Sequence, residues 1–536
     1  MKKILALVLA LVMIVCATAC GSSSASTTAA PADGASANNA ASPEKPSEAT
    51  AEAPSGSKEL VVACSESMVT LDPQNQTMIN GMAALLMSND PLVNNDHAGN
   101  YTPGLATEWT LADDGLTWSF KLREGVTFHN GEPFDADDVV CTFQRILDEG
   151  ASLGVYSSWF QPLESVTKVD DFTVELKTSE PYPLFLDALG YAFIIPNEAF
   201  AEYGDDLWNQ QMCYGTGPWV FDEWVADSYI RWTRNDNYWG GNDSVYDAVT
   251  MRFVKEASSA IAAQLSGDID AYLPASGIPV EMLSLYAGYE DTINIVQFES
   301  TFFKYMGLQC GEGKPFADKK VREAFSLAID RQLLIDQFIQ GGSIPSSIVN
   351  SLCKGYDEAL PLYEYNPEKA AEVLAESSYN GEEIVLLGQT NLYLPEETLL
   401  AMSEMLNAVG FNTTVEVVEF AVFKDMRAAG NYDCFMSDAV QTGGDPHAFI
   451  NLRIYTDAHR SDYVNPELQE AIAKANVEMD PEVRNEYLKD VARIVREEYA
   501  PHLNIANMAV IFAINKDVTG LLYFPDAYID LRYVGA

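Results

Sequence analysis

The chain has 536 residues, with 32 Lys and Arg against 78 Asp and Glu for a formal net charge of −46, and 48% of its residues are hydrophobic. This excess of carboxylates argues against nucleic acid, whose backbone is bound by neutralising phosphates with Lys and Arg. The apolar content suffices for sizeable cores, and the length suggests about three domain-sized units after the N-terminal segments.

Met1-Lys2-Lys3 precedes the apolar run Ile4 to Val15 and the small residues Ala17-Thr18-Ala19-Cys20. A basic start, a short apolar stretch and small residues before a cleavage point describe a secretory signal over residues 1–19. The run is too short to span a bilayer as a stable helix. Cys20 after small residues resembles a bacterial lipobox, although Ala17 stands where Leu is usual. Cys20 is therefore the expected lipidation site. From Gly21 to about Ser57 the chain is Ala, Ser, Thr, Pro, Glu and Asn, with no aromatic residue. Such a segment cannot bury enough apolar surface to order itself. As a coil it would span ~35 Å. Residues 20–57 thus read as a lipid-anchored linker, which places the body outside the cytoplasmic membrane.

The body opens with Leu60-Val-Val-Ala63, a short apolar run expected to form a buried strand. Thr117 to Leu122 and Phe172 to Leu176 alternate, as half-buried strands do. Between them Asp135 is placed to cap a helix that runs to about Asp148 and stops at Gly150, with Asp137 and Asp138 suiting the helix dipole. Phe128-His129-Asn130-Gly131 reads as a turn that positions Phe128 and Phe134 in a core. Gly215 and Gly217 fit either a close backbone approach to a ligand or a strained turn. Asp318 caps an amphipathic helix to Ile329, and Asp330 caps the next. Asn366-Pro367, Asn465-Pro466 and Asp480-Pro481 each set a capping residue before proline at the first helical position. Strands mixed with capped helices give an α/β body. Its six cysteines are Cys64, Cys141, Cys213, Cys310, Cys353 and Cys434, with no CxxC pair, and buried free thiols are the expectation.

Several stretches together carry a family resemblance. Leu105 to Leu147, LATEWTLADDGLTWSFKLREGVTFHNGEPFDADDVVCTFQRIL, resembles the signature region of family 5 solute-binding proteins, the receptors of peptide and nickel ABC importers. Gly215-Thr-Gly-Pro218 with Arg234 to Trp239, Pro315 to Arg331, and Asp480 to Pro501 resemble further blocks of that family in order. The resemblance implies an α/β, type II periplasmic-binding-protein-like fold of two lobes with an extra inserted domain. Domain I would comprise 58–98, 213–298 and 505–536, the inserted domain 99–212, and the second lobe 299–504, with hinges near 298 and 504. It implies a monomer that closes around a peptide or similar small polar solute and delivers it to an ABC permease with a cytoplasmic ATPase. No cofactor is implied.

The resemblance places ligand contacts in Phe435 to His447. Peptide-binding members commonly carry an aspartate three residues before an Asp-Pro pair, where it meets the peptide ammonium. Here the pair is Asp445-Pro446, the third residue before Asp445 is Thr442, and Ala439 replaces a frequent tryptophan. Asp438 or Asp445 could supply the charge. Gln441 and Thr442 instead suggest neutral hydrogen bonding, to a blocked peptide, a sugar or another polar solute. Ser67, Met68, Tyr214, Gly215 and Tyr393 are further wall candidates, as are Phe302, Phe303 and Tyr305. The five histidines include no HxH or HxxxH pair, so a metal site has little support, although a metal could arrive chelated. GxSxG, HExxH and a phosphate loop are absent, and nothing points to an enzyme. A sensor or adhesin on the same fold is the remaining alternative.

Overall fold

The computed structural model describes residues 58–76, 79–95, 100–153, 159–339, 341–390 and 392–536. The signal segment, Cys20, the 20–57 linker and His97 lie outside the described residues. Among the described residues no helix is long and apolar enough to cross a membrane.

The run around Leu60 forms the strand Glu59–Cys64, inserted in parallel between Ala248–Phe253 and Ala271–Tyr272. Having a neighbour on each side and apolar residues on both faces, it is a buried strand of the expected kind. Leu60 and Val62 enter one core with Trp219 and Trp232, while Ala63 enters another with Tyr272. Tyr229–Arg234 and Trp219–Val225 extend this wing outward. A second wing contains Cys434–Val440, Glu383–Gln389 and Asn412–Val418.

Two long antiparallel strands, Ile293–Leu308 and His502–Asn515, run through both wings and join them. Ile293–Leu308 pairs with Cys434–Val440 only from Phe302 onward. The pairing of the two long strands is irregular between Glu299 and Phe303 and again between Lys304 and Tyr305. Bulges bend a ladder locally. The second wing buries Met306, Phe325 and Leu386 on one face and Phe303, Phe435 and Val491 on the other.

Residues 106–178 build a separate four-stranded antiparallel sheet. Thr117–Leu122 has the expected bounds, and the expected strand at 172–176 is Thr173–Thr178. The helix between them is Ala136–Glu149, closed by Gly150 at φ +48°. Asp135 accepts from the Asp137 amide, and Asp138 reaches back to the Asp135 amide at 2.8 Å, forming a capping box. These acids are therefore helix-start residues. At Phe128 to Gly131 the chain turns, with Gly131 at φ +92°, and the rings of Phe128 and Phe134 meet edge-on in the core. The capped helices Lys319–Ala328, Arg331–Phe338, Pro367–Ala375, Pro466–Val477 and Pro481–Glu498 all form, each with its Asp or Asn side chain accepting from a first-turn amide. The six body cysteines are free, and five are buried.

Candidate ligand-binding site

The strand Cys434–Val440 leads directly into the segment singled out from the sequence. Gln441 follows, then a tight turn at Thr442–Gly444, then Asp445-Pro446 and the short helix His447–Ile450. Gly443 and Gly444 both hold positive φ, +66° and +69°. A Cβ at either position would be strained, so the turn depends on glycine.

Gln441 is not available to a ligand. It is 1% exposed; its amide nitrogen donates to the Ile348 carbonyl at 2.8 Å and its amide oxygen accepts from the Asn350 N–H at 2.9 Å. It acts as a strut between two chain segments. Asp445 is also committed. Its carboxylate takes both nitrogens of the Arg484 fork, at 2.6 and 3.1 Å, and accepts from the His447 N–H at 2.9 Å. Burial alone would raise this carboxyl; the Arg484 guanidinium outweighs burial and holds it below the usual carboxylate range. Asp438 meets Lys304 at 2.6 Å, and Lys304 is 1% exposed. A buried ammonium is costly unless paired, so Asp438 compensates Lys304. The two carboxylates expected to receive a cationic ligand thus each have an internal counter-ion. Thr442 is half-buried at the start of the turn, with no hydrogen bond to its hydroxyl described.

The wall opposite comes from distant segments. The Gly443 N–H donates to the Asp526 carboxylate at 3.1 Å, joining the turn to the chain beyond the second long strand. Tyr191 lies beside Gly443 and packs edge-on against Tyr528 and against Trp159. Tyr191 and Tyr528 line a small cavity with Asn94, Asn95, Asp530 and Arg532. Arg532 is chelated by Asp530 and donates to the Asn94 side-chain oxygen at 2.9 Å.

A third group of charges closes the junction. Asp187 is buried and accepts from the Tyr101 hydroxyl at 2.7 Å and the Asn95 amide at 3.1 Å. Burial raises its carboxyl, against the pull of Lys354 and of the Tyr101 hydrogen bond. Arg484 and Asp445 act on the same group, and Tyr182 packs near His447 at 6.5 Å between ring centroids. Burial holds the His447 imidazole down to about 4, so it is neutral at neutral pH.

The other wall candidates sit elsewhere. Met68 is buried in the core of the first wing. The Ser67 hydroxyl bonds its neighbour's carbonyl and the Asp227 amide, pinning a loop to a strand turn. Tyr214 packs on that same core. Gly215 is structural: a Cβ there would stand 1.8 Å from the Ser88 carbonyl, and its own carbonyl accepts from His129 N–H. Phe303 and Tyr305 are core residues of the second wing, and Phe302 packs on the first. Tyr393 is half-buried, and its hydroxyl donates to Glu281 at 2.5 Å, linking segments 112 residues apart. Sequence reasoning missed Tyr101, Asp187, Tyr191, Asp526 and Tyr528. None lies in a spacing that marks a site, and only chain folding brings them to the Gly443 turn.

The described residues at this junction offer amide groups, hydroxyls and aromatic faces, and Asp438, Asp445 and Arg532 each have an internal counter-ion. That is an arrangement suited to binding a solute. The family model described as Bacterial extracellular solute-binding proteins, family 5 Middle, matches residues 100–459. The chain belongs to this family. Among its relatives, Heme-binding protein A of Haemophilus influenzae is 26% identical over 459 residues, 80% of this chain and 82% of that protein. The ABC transporter substrate binding protein CtaP of Listeria monocytogenes superposes with a TM-score of 0.79 at 22% identity, covering 89% of this chain and 99% of that one. A dipeptide binding protein of Pseudoalteromonas in complex with Met-Leu gives 0.73 at 22% identity with the same coverage. The α/β fold expected from the resemblance is the fold these solute-binding proteins share.

Proposed function

We propose that this family 5 solute-binding protein is the membrane-tethered receptor of an ABC importer. It holds a peptide or similar small polar solute between two lobes and passes it to a permease driven by a cytoplasmic ATPase. Domain I comprises 58–98, 213–298 and 505–536, the inserted domain 99–212, and the second lobe 299–504. The observation that carries this reading is the Gly443–Asp526 hydrogen bond, where the turn of one lobe meets the C-terminal segment of the other. The Tyr393–Glu281 contact bridges the same division. The irregular pairing beside Glu299 lies at the expected hinge, and hinge closure is driven by contacts made from both sides at once.

The ligand's polar groups are met by neutral hydrogen bonds more than by a carboxylate–ammonium pair. The pairing of Asp438 with Lys304 and of Asp445 with Arg484 supports this. A free N-terminus would have to compete with a guanidinium or a buried ammonium for either acid. N-blocked peptides and sugars meet no such competition. Cys20 carries the lipid anchor, and the Gly21–Ser57 linker is the leash.

A thermal-shift screen with free peptides, N-acetylated peptides, oligosaccharides and chelated nickel tests the ligand class, since binding to the folded state raises Tm. We expect shifts with acetylated peptides or oligosaccharides. A shift with free peptides alone would overturn the neutral-site reading, and no shift with any of the four would overturn the receptor reading for these classes. Replacing Cys20 with Ala is expected to release a folded protein into the medium, and tight membrane retention of that variant would overturn the anchor.

A further inference from the structure

Three Asn-Gly pairs occur in the chain: Asn80-Gly81, Asn130-Gly131 and Asn380-Gly381. Glycine has no Cβ, so its amide nitrogen can come close to the side-chain carboxamide of the asparagine before it. As a sequence the three pairs are equivalent. The fold puts them in three different states.

Asn80 is fully buried in the helix Ile79–Ser88. A helical side chain points back toward the N-terminus, away from the amide that follows it. Asn130 is exposed, but both of its reacting partners are held. The Gly131 N–H donates to the Phe128 carbonyl at 2.9 Å. The Asn130 carboxamide oxygen accepts from the Glu132 N–H at 3.1 Å, and its nitrogen donates to the Glu132 carboxylate at 2.5 Å.

Asn380 is exposed as well, in the connection between the helix Pro367–Ala375 and the strand Glu383–Gln389. Among the described residues the Gly381 N–H makes no hydrogen bond. The Asn380 carboxamide makes one, from Nδ2 to the Ser378 carbonyl at 2.8 Å. That bond is open to solvent, and exposed bonds of this kind open locally at little cost. The same turn anchors the outermost strand of the large sheet. The Gly381 carbonyl accepts from Asn412 Nδ2 at 3.1 Å, and Glu383 is paired with Asn412 at the start of Asn412–Val418.

We propose that Asn380 is a site of spontaneous covalent modification. The Gly381 nitrogen attacks Asn380 Cγ, forming a C–N bond. The Cγ–Nδ2 bond breaks, and Nδ2 leaves as ammonia with the proton given up by Gly381. The resulting succinimide takes up one water. Hydrolysis at Cγ gives aspartate. Hydrolysis at the backbone carbonyl gives isoaspartate, whose main chain runs through the former side chain and is one methylene longer. The longer turn moves the Gly381 carbonyl away from Asn412 and loosens the edge strand.

The test follows the full chain at mildly alkaline pH by peptide mapping and mass spectrometry, beside a urea-denatured control. In the control all three pairs should acquire the mass of an amide-to-acid exchange at similar rates. In the folded protein the Asn380 peptide should do so severalfold faster than the Asn130 peptide, and the Asn80 peptide should stay unchanged. Hydrogen exchange at Asn412–Val418 should quicken in the aged protein and not in equally aged Asn380→Gln. Modification of Asn130 as fast as Asn380, or an unmodified Asn380 after the control has reacted, would overturn the assignment. Equal exchange in the aged protein and the aged variant would overturn the loosening of the edge strand.

Discussion

Asp438 and Asp445 stand seven residues apart, the first in the strand Cys434–Val440 and the second just after the Thr442–Gly444 turn, and as a sequence they are interchangeable candidates. The structure separates them. Asp445 is deeply buried, taken at both oxygens by Arg484 and again by the His447 amide. Asp438 is partly open to solvent and offers one oxygen to the ammonium of Lys304. The first acid braces the fold from within; the second compensates a buried cation near the end of a strand. A carboxylate's chemistry is therefore set by which cation the fold brings to it.

The sharpest way to break the comparison is at Arg484. Arg484→Met should destabilise the protein by about 3–5 kcal/mol, because it leaves a buried, unpaired carboxylate. Adding Asp445→Asn should recover much of that loss in urea unfolding, and a strictly additive double variant would remove Asp445 from its bracing role. His447 reports on the same end of the turn through pH. Its imidazole titrates near 6.5 in an unfolded chain and at about 4 in the folded one, so the folded state binds fewer protons between those values. Stability is fully present above pH 6.5 and falls by about 3 kcal/mol as pH drops toward 4. His447→Gln should flatten that part of the stability profile, and an unchanged slope would contradict the burial seen here.

Gln441→Ala should cost about 2 kcal/mol, because two buried backbone groups lose their partner, with ligand affinity changed less than Tm. A normal Tm with lost binding would return Gln441 to the ligand contacts. Asp438→Asn sharpens the other half of the comparison. We expect about 1–2 kcal/mol of destabilisation from the exposed need of Lys304, with similar affinity losses for cationic and neutral ligands. A loss confined to cationic ligands would make Asp438 the ammonium site after all. The smallest effect belongs to Tyr393→Phe, under ~1 kcal/mol. It should appear as a slightly larger radius of gyration in ligand-free scattering, and identical curves would show that the Glu281 contact does not hold the segments together.

Much of the fold was legible because its signals are local. The capping box at Asp135–Asp138 and the Asn-Pro and Asp-Pro helix starts bind amides two or three residues away, so the sequence holds both partners. The family resemblance across Leu105–Leu147 and Pro315–Arg331 placed the chain among solute-binding proteins. The site was legible only in part. The Phe435–His447 segment does form the turn that meets Asp526, yet Gln441, Asp445, Met68 and Gly215 turned out to be structural. Each has partners 39 or more residues away or a core around it, and neither appears in a spacing. Gly215 admits two readings from the sequence, and the Ser88 carbonyl 1.8 Å from where its Cβ would stand decides for close packing.

By itself the sequence determined the polar composition of residues 21–57, the capped helices and the family, because each rests on residues adjacent in the chain or on an ordered set of motifs. Only the tertiary structure decided which acids are neutralised and which glycines are close-packed. It also brought Tyr191, Asp526 and Tyr528 together around the Gly443 turn. Those outcomes depend on pairings across scores or hundreds of residues. Burial then sets the strength of each charge, and no local pattern encodes how deeply a given side chain will be buried.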